Sequence, residues 1–305
     1  MPVFDYFSVH PLAFYFFIAV LGLFVGSFLN VVIYRLPLML MREWQVEATS
    51  YLTIQAQTDA KTLQCPCCHQ AIAQPTLDTK PLNLCQPRSE CPHCHQPIKP
   101  WHNIPLFSYL WLKGRCSGCQ QKISWRYPLV EGITALLSVL LAKHFGYGYP
   151  LIAALVLTWA LIALATIDLQ QQILPDNITL PLLWLGLLVN TQTLFTSLDN
   201  ALWGAVIGYL SLWLIFWVFK WLTGKEGLGY GDFKLLAALG AWLGWQMLPL
   251  IILFSSLLGS LIGITLIVAK GRSKELPIPF GPFLCIAGLM ALLYGQELLT
   301  LPFWN

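Results

Sequence analysis

The chain has 305 residues, of which 57% are hydrophobic and only 10% are charged, against roughly 25% charge in an average soluble domain. Its 17 basic and 14 acidic residues could not cover the surface of a soluble fold of this length, a requirement that a bilayer removes by solvating apolar side chains directly. An ordinary soluble fold, a disordered chain and a disulfide-stapled secreted miniprotein are therefore excluded, and a net charge of +3 is too small to argue for nucleic acid as a partner.

The charges are unevenly spread. Residues 35–126 carry 10 of the 17 basic residues, 5 of the 14 acidic ones and eight of the nine cysteines. The chain thus divides into a first transmembrane helix within residues 1–34, a polar Cys-rich domain over 35–126, and a membrane domain over 127–305.

In chain order, residues 11–34 form an uncharged run of 24, enough for a hydrocarbon core that needs about 20 helical residues. Asp5 precedes it, and Arg35 and Arg42 follow, so a retained span fits better than a cleaved leader. Further spans are expected near 127–142, 149–167, 177–198 and 201–219. Residues 235–269 are 35 without a charge, about 52 Å as one helix, well beyond a core of roughly 30 Å. Trp245, Gln246 and Pro249 fall where a turn is required, so two helices should meet there. A last span near 279–296 gives about eight. The expected fold is an all-α polytopic membrane protein with a small cytoplasmic domain inserted after the first helix.

Eight spans put both termini on one side. With that side outside, the Cys-rich domain and the loops at 168–176, 220–234 and 270–275 are cytoplasmic and hold 16 of the 17 basic residues, leaving Lys143 alone outside. That asymmetry is what the positive-inside rule requires.

Cys91-Pro-His-Cys94 and Cys116-Ser-Gly-Cys119 are CxxC knuckles at the spacing of four-thiolate zinc sites. The reducing cytoplasm makes disulfides the weaker reading. An upstream Cys65-Pro-Cys67-Cys68 cluster leaves the ligand set open, with Cys85, His69, His93 and His95 as further candidates; the 91/94/116/119 set is preferred. Four thiolates leave no open position, so the metal is expected to be a folding staple for a domain with little apolar core.

Among the acidic residues, Asp168 falls at the end of the third span and Asp232 opens the sixth, in Gly229-Tyr-Gly231-Asp232. The charge-based topology puts both at one interface, where two carboxylates sharing a water would be an aspartic protease arrangement. Each could instead cap a helix or mark the interface, and for Asp176 capping is the preferred reading.

Taken together, the motifs resemble those of the type IV prepilin peptidase family, GxGD-class membrane aspartic proteases. The likeness covers nearly the whole chain. It runs through Gly26-Ser-Phe-Leu-Asn-Val-Val-Ile-Tyr-Arg-Leu-Pro37, Pro87-Arg-Ser, both knuckles, Asn103-Ile-Pro, Arg126-Tyr-Pro-Leu-Val-Glu131, Ile167-Asp168 and Leu174-Pro-Asp176. It continues in Gly229-Tyr-Gly-Asp-Phe-Lys-Leu-Leu236 and Pro277-Ile-Pro-Phe-Gly-Pro282.

The resemblance implies a bifunctional enzyme of the bacterial inner membrane. It would cut the basic leader from prepilins and type II secretion pseudopilins, then methylate the new N-terminal residue with S-adenosylmethionine. It implies Asp168 and Asp232 as catalytic residues, Cys91, Cys94, Cys116 and Cys119 as zinc ligands, Gly229, Gly231 and Lys234 as the supporting loop, and methyl transfer near Gly114 and Arg115. Glu43 and Glu131 are alternative polar contributors. Cys65, Cys67 and Cys68 lie outside the family pattern. Two rival readings are a cleavage-only relative and a transporter with a zinc-binding regulatory domain.

Overall fold

The computed structural model describes residues 7, 10–59, 82–91, 93–94, 96–98, 104–225, 227–270 and 278–300. Helices α1 (Pro11–Asp59), α2 (Phe107–Trp111), α3 (Arg126–Phe145), α4 (Tyr149–Gln171), α5 (Asp176–Asn190), α6 (Leu198–Thr223), α7 (Tyr230–Leu243), α8 (Leu248–Lys270) and α9 (Gly281–Leu299) account for most of it. Among the described residues the only β structure is two isolated bridges in the Cys-rich region. The fold is an all-α polytopic membrane protein.

Eight of these helices match the expected runs, but not all have the expected length. Six, namely α1, α3, α4, α6, α8 and α9, are long and apolar enough to cross a membrane. Helices α5 and α7 have 15 and 14 residues, about 22 and 21 Å, short of a core of roughly 30 Å. The run expected over 177–198 stops early because Asn190 turns the chain. Its Nδ2 donates to the Ala241 and Trp242 carbonyls at 2.9 Å, and its Oδ1 accepts from the Phe195 and Thr196 N–H groups. The expected break near 245 is present, as a short 3₁₀ turn over Trp245–Met247.

The first helix departs most from expectation. It does not end at 34 but continues for 49 residues to Asp59, with Pro37 inside it. Residues 38–48 are mostly good helix formers, so leaving the apolar run changes the solvent without ending the helix.

Two close helix contacts rest on glycine pairs four apart. A Cβ at Gly22 or Gly26 of α1 would stand 2.7 Å from the Ala135 or Glu131 Cα of α3. A Cβ at Gly204 of α6 would run into the Gly240 carbonyl of α7, and one at Gly208 would lie 2.7 Å from the Leu236 carbonyl oxygen. Small residues at this spacing let backbones touch where no hydrophobic effect drives helices together. Helix α7 is consequently enclosed: Asp232, Phe233 and every residue from Leu235 to Leu243 are buried, as befits a helix that is apolar all round. The outer face of α6, by contrast, exposes Trp203 and Trp221, about 27 Å apart along the helix, in keeping with two aromatic belts at the interfaces.

These pairings fix the directions of the helices. The end of α4, the starts of α3, α7 and α9, and the Cys-rich region lie at one end of the bundle. Among the described basic residues, only Lys143 lies at the other.

Candidate active site and metal centre

Asp168 sits in the last turn of α4 and Asp232 in the first turn of α7, only 5% and 6% exposed. Each carboxylate is held through one oxygen by a glycine N–H. Gly281, at the start of α9, donates to Asp168 Oδ2 at 3.0 Å. Gly229 donates to Asp232 Oδ2 at 3.2 Å, so Asp232 does cap its own helix, as the sequence allowed, but with one oxygen only. Leu174 packs against both Gly281, whose N–H holds Asp168, and Gly231, the neighbour of Asp232. The structure therefore brings together two aspartates 64 residues apart in the chain.

Glycine is required here by contact. A Cβ on Gly281 would lie 2.6 Å from Asp168 Oδ2, and one on Gly231 would lie 2.7 Å from the Leu174 Cβ. Leu174, just beyond α4, wedges between the starts of α7 and α9. Beside it, Lys234 Nζ bonds both oxygens of Asp176 at 2.7 and 2.8 Å. Asp176 is the first residue of α5, where the helix dipole suits an anion. Its chief partner is Lys234, so it straps the segment after Asp168 to the helix that carries Asp232.

The second cluster is Cys91, Cys94, Cys116 and Cys119, whose sulfurs all lie within 4.8 Å of one another. Cys91 and Cys119 are 3.8 Å apart, Cys94 and Cys116 4.0 Å. Tetrahedral zinc at about 2.3 Å from each sulfur requires S···S near 3.8 Å, so the donor set fits a four-thiolate metal in chemistry and geometry. Each knuckle is a tight turn closed by backbone bonds: Cys91 N–H to the Gln96 carbonyl at 3.0 Å, and Cys116 N–H to the Gln121 carbonyl at 2.9 Å. Backbone N–H groups of Cys94 and His93 pull the Cys91 thiol down to about 6, towards the thiolate a metal needs. Cys65, Cys67 and Cys68 lie outside the described residues, and Cys85 is exposed.

Gly114 is a turn residue with φ +68. Its N–H donates to the Tyr109 carbonyl and its carbonyl accepts from Ile123, and a Cβ would press on the Tyr109 ring at 3.0 Å. Arg115 is exposed and pairs through its backbone with Lys122.

Two contacts tie the Cys-rich region to the bundle, and a third joins α1 to the start of α3. Arg35, 7% exposed, donates to the carbonyls of Asn83, Leu84 and Pro87 at 3.0, 3.2 and 2.6 Å. Glu131 of α3 accepts from the Leu106 N–H at 2.9 Å and from Ser27. Asn30 of α1 donates to the Tyr127 carbonyl at 3.1 Å. Gly281, Arg35 and the glycine pairs were not singled out from the sequence as site or packing residues, although Gly281 and Arg35 fall inside quoted motifs and the four-residue glycine spacing was visible.

Fold and site together define a helical, multi-pass membrane protein with paired buried carboxylates at one end and an attached four-cysteine centre. The chain belongs to the type IV leader peptidase family, whose model matches residues 155–264, and the bacterial peptidase A24 N-terminal domain matches residues 20–145. It is 52% identical over 298 residues to a protein of Pseudomonas aeruginosa named prepilin leader peptidase/N-methyltransferase, covering 98% of this chain and 96% of that one. Proteins of the same name from Aeromonas hydrophila and Legionella pneumophila are 53% and 44% identical, covering 94% and 95% of this chain and 93% and 95% of their own. No solved structure matches the chain.

Proposed function

We propose that the protein is a bifunctional enzyme of the bacterial inner membrane. It removes the basic leader of prepilins and pseudopilins and then N-methylates the exposed N-terminal residue. The observation that carries the peptidase half is the pair of buried carboxylates, each fixed by one glycine N–H. Fixing Oδ2 leaves Oδ1 of each to meet water and peptide. One ionised aspartate takes a proton from water as it attacks the scissile carbonyl. The other, protonated, polarises that carbonyl and then supplies the proton for the departing amine.

The cysteine centre is proposed to hold zinc as a staple. Its ligands keep the two knuckles folded, and Arg35 and Glu131 dock the Cys-rich region on the bundle. S-adenosylmethionine supplies the methyl group when bound, and the second knuckle, at Gly114 and Arg115, is the proposed place of transfer. The concentration of basic residues at the carboxylate end supports a cytoplasmic site and domain with periplasmic termini. A transporter is disfavoured because the carboxylates gather at one end of the bundle and not at its midplane. The names of the relatives favour the second activity over cleavage alone.

The test is to incubate purified protein with a prepilin and labelled S-adenosylmethionine, following leader loss and label on the mature N-terminus. Asp168→Asn and Asp232→Asn should each abolish leader loss while still labelling a pre-cleaved substrate. Processing retained by either variant rejects the dyad.

A further inference from the structure

Helix α2 is short, and among the described residues none of its five side chains is buried. Phe107, Leu110 and Trp111 are 68%, 73% and 87% exposed. At i, i+3 and i+4 they share one face, so three large apolar side chains stand side by side outside the protein core. Packing within the chain does not explain where α2 sits.

Two features nonetheless hold it in place. Leu106, just before α2, has φ +56 and ψ −47, and the Phe107 N–H donates to the Pro105 carbonyl at 2.6 Å. This is a γ-turn of the positive-φ kind, which is rare and strained at a residue other than glycine. The Leu106 N–H in turn meets the buried carboxylate of Glu131. Glu131 lies five residues into α3, about 8 Å from its start, and α3 is long and apolar enough to cross a membrane. The strained turn thus brings α2 level with the first turns of a membrane-spanning helix. Strain persists where the surroundings compensate it, and the exposed face of α2 finds that compensation outside the chain.

Charge points the same way. Residues 104–130 contain Lys113, Arg115, Lys122 and Arg126 and no acidic residue, and all four basic side chains are exposed. Trp125, 66% exposed, precedes α3 and continues the aromatic belt that Trp221 marks on α6. Apolar anchors beside basic residues match a bilayer surface with anionic headgroups, where the apolar face enters the acyl boundary. We propose that α2 is an interfacial anchor: Phe107, Leu110 and Trp111 dip into the leaflet at the carboxylate end, and Lys113, Arg115, Lys122 and Arg126 meet anionic lipid headgroups. On the bifunctional reading, on which this consequence rests, the anchor holds Gly114 and Arg115 at the height where a newly cut N-terminus leaves the bilayer.

The test uses the full-length protein in nanodiscs of phosphatidylcholine and phosphatidylglycerol whose acyl chains carry a nitroxide near the headgroup. A small fluorescent residue at Leu110 should be quenched as strongly as one at Trp221. One at the exposed Glu47, about 20 Å past the first span along α1, should be quenched far less. Leaving out phosphatidylglycerol should reduce quenching at Leu110 and not at Trp221; equal values would overturn the part assigned to the four basic residues. In the same discs, Leu110→Gln combined with Trp111→Gln should lower kcat/KM for methylation about tenfold, as loss of positioning does, with leader removal and metal content unchanged. Quenching at Leu110 no greater than at Glu47 would overturn the anchor. So would a Leu110 label that responds only to added prepilin, which would make the face a protein-docking surface. Unchanged methylation in the double variant would overturn the positioning role. Wild-type protein that methylates no substrate would count against the bifunctional reading and leave the anchor standing, because quenching is read without substrate.

Discussion

Replacing Gly281 by Ala isolates what the grip on Asp168 contributes. The added methyl would stand 2.6 Å from Asp168 Oδ2, where a carbon–oxygen contact needs about 3.3 Å or more. The carboxylate must therefore retreat by roughly 0.7 Å from the same residue's N–H, with which it now bonds at 3.0 Å. That bond to a charged acceptor has a net worth of about 1.5–3 kcal/mol. At 1.36 kcal/mol per tenfold in rate, losing it from the transition state lowers kcat about 10- to 150-fold, in line with the roughly hundredfold cost of a 1 Å misplacement. The carboxylate is the mobile end of a short side chain, so the thermal midpoint should hardly move. The assay is the initial rate of leader removal at saturating prepilin, with methylation of a pre-cleaved substrate as internal control. Wild-type kcat in Gly281→Ala would show that the N–H grip does not position Asp168, and an equal fall in methylation would point to general misfolding.

Other positions report on packing, metal and the strap between the two aspartate segments. Gly208→Ala should cost about 1–3 kcal/mol of stability because its Cβ meets the α7 backbone, whereas Gly132→Ala, with nothing within 4 Å, should be neutral or stabilising by up to about 1 kcal/mol; unfolding titrations in detergent separate them. Metal analysis should find zinc lost from Cys116→Ser and kept by Cys65→Ser, and the reverse would move the site upstream. Zinc affinity should weaken on acidification as the cysteine thiolates regain their protons. Because Lys234 and Asp176 are 30% and 50% exposed, a double-mutant cycle between them should give a coupling below about 1 kcal/mol; a larger value would mean that the pair is screened from solvent.

Local runs of hydropathy were enough to read the helices and the turn at Trp245, because a bilayer enforces length and apolarity residue by residue. The knuckles were legible for a similar reason, since thiolate spacing is a local property. What could not be read depends on distant partners. Helix α5 ends where it does because Asn190 reaches carbonyls 51 and 52 residues away. The donor that fixes Asp168 comes from 113 residues further on. Helix α1 outran its expected end because the reading followed only hydropathy, while helix propensity continued past Arg35. The burial of Arg35 runs against the usual fate of a charge and follows from three loop carbonyls that converge on it.

The shortness of α7 bears on how the protein is made. A helix of 14 residues with a carboxylate in its first turn is too brief to settle in a bilayer by itself. It needs α6 beside it, with Gly204 and Gly208 already facing the place it will take. Membrane insertion of the long helices and docking of α7 are therefore distinct events in biogenesis, and Asp232 reaches its station only in the second. A chain stopped after α7 would carry that carboxylate with no α9 to bring Gly281 to Asp168, so the pair of held aspartates is complete only once the last helix is made.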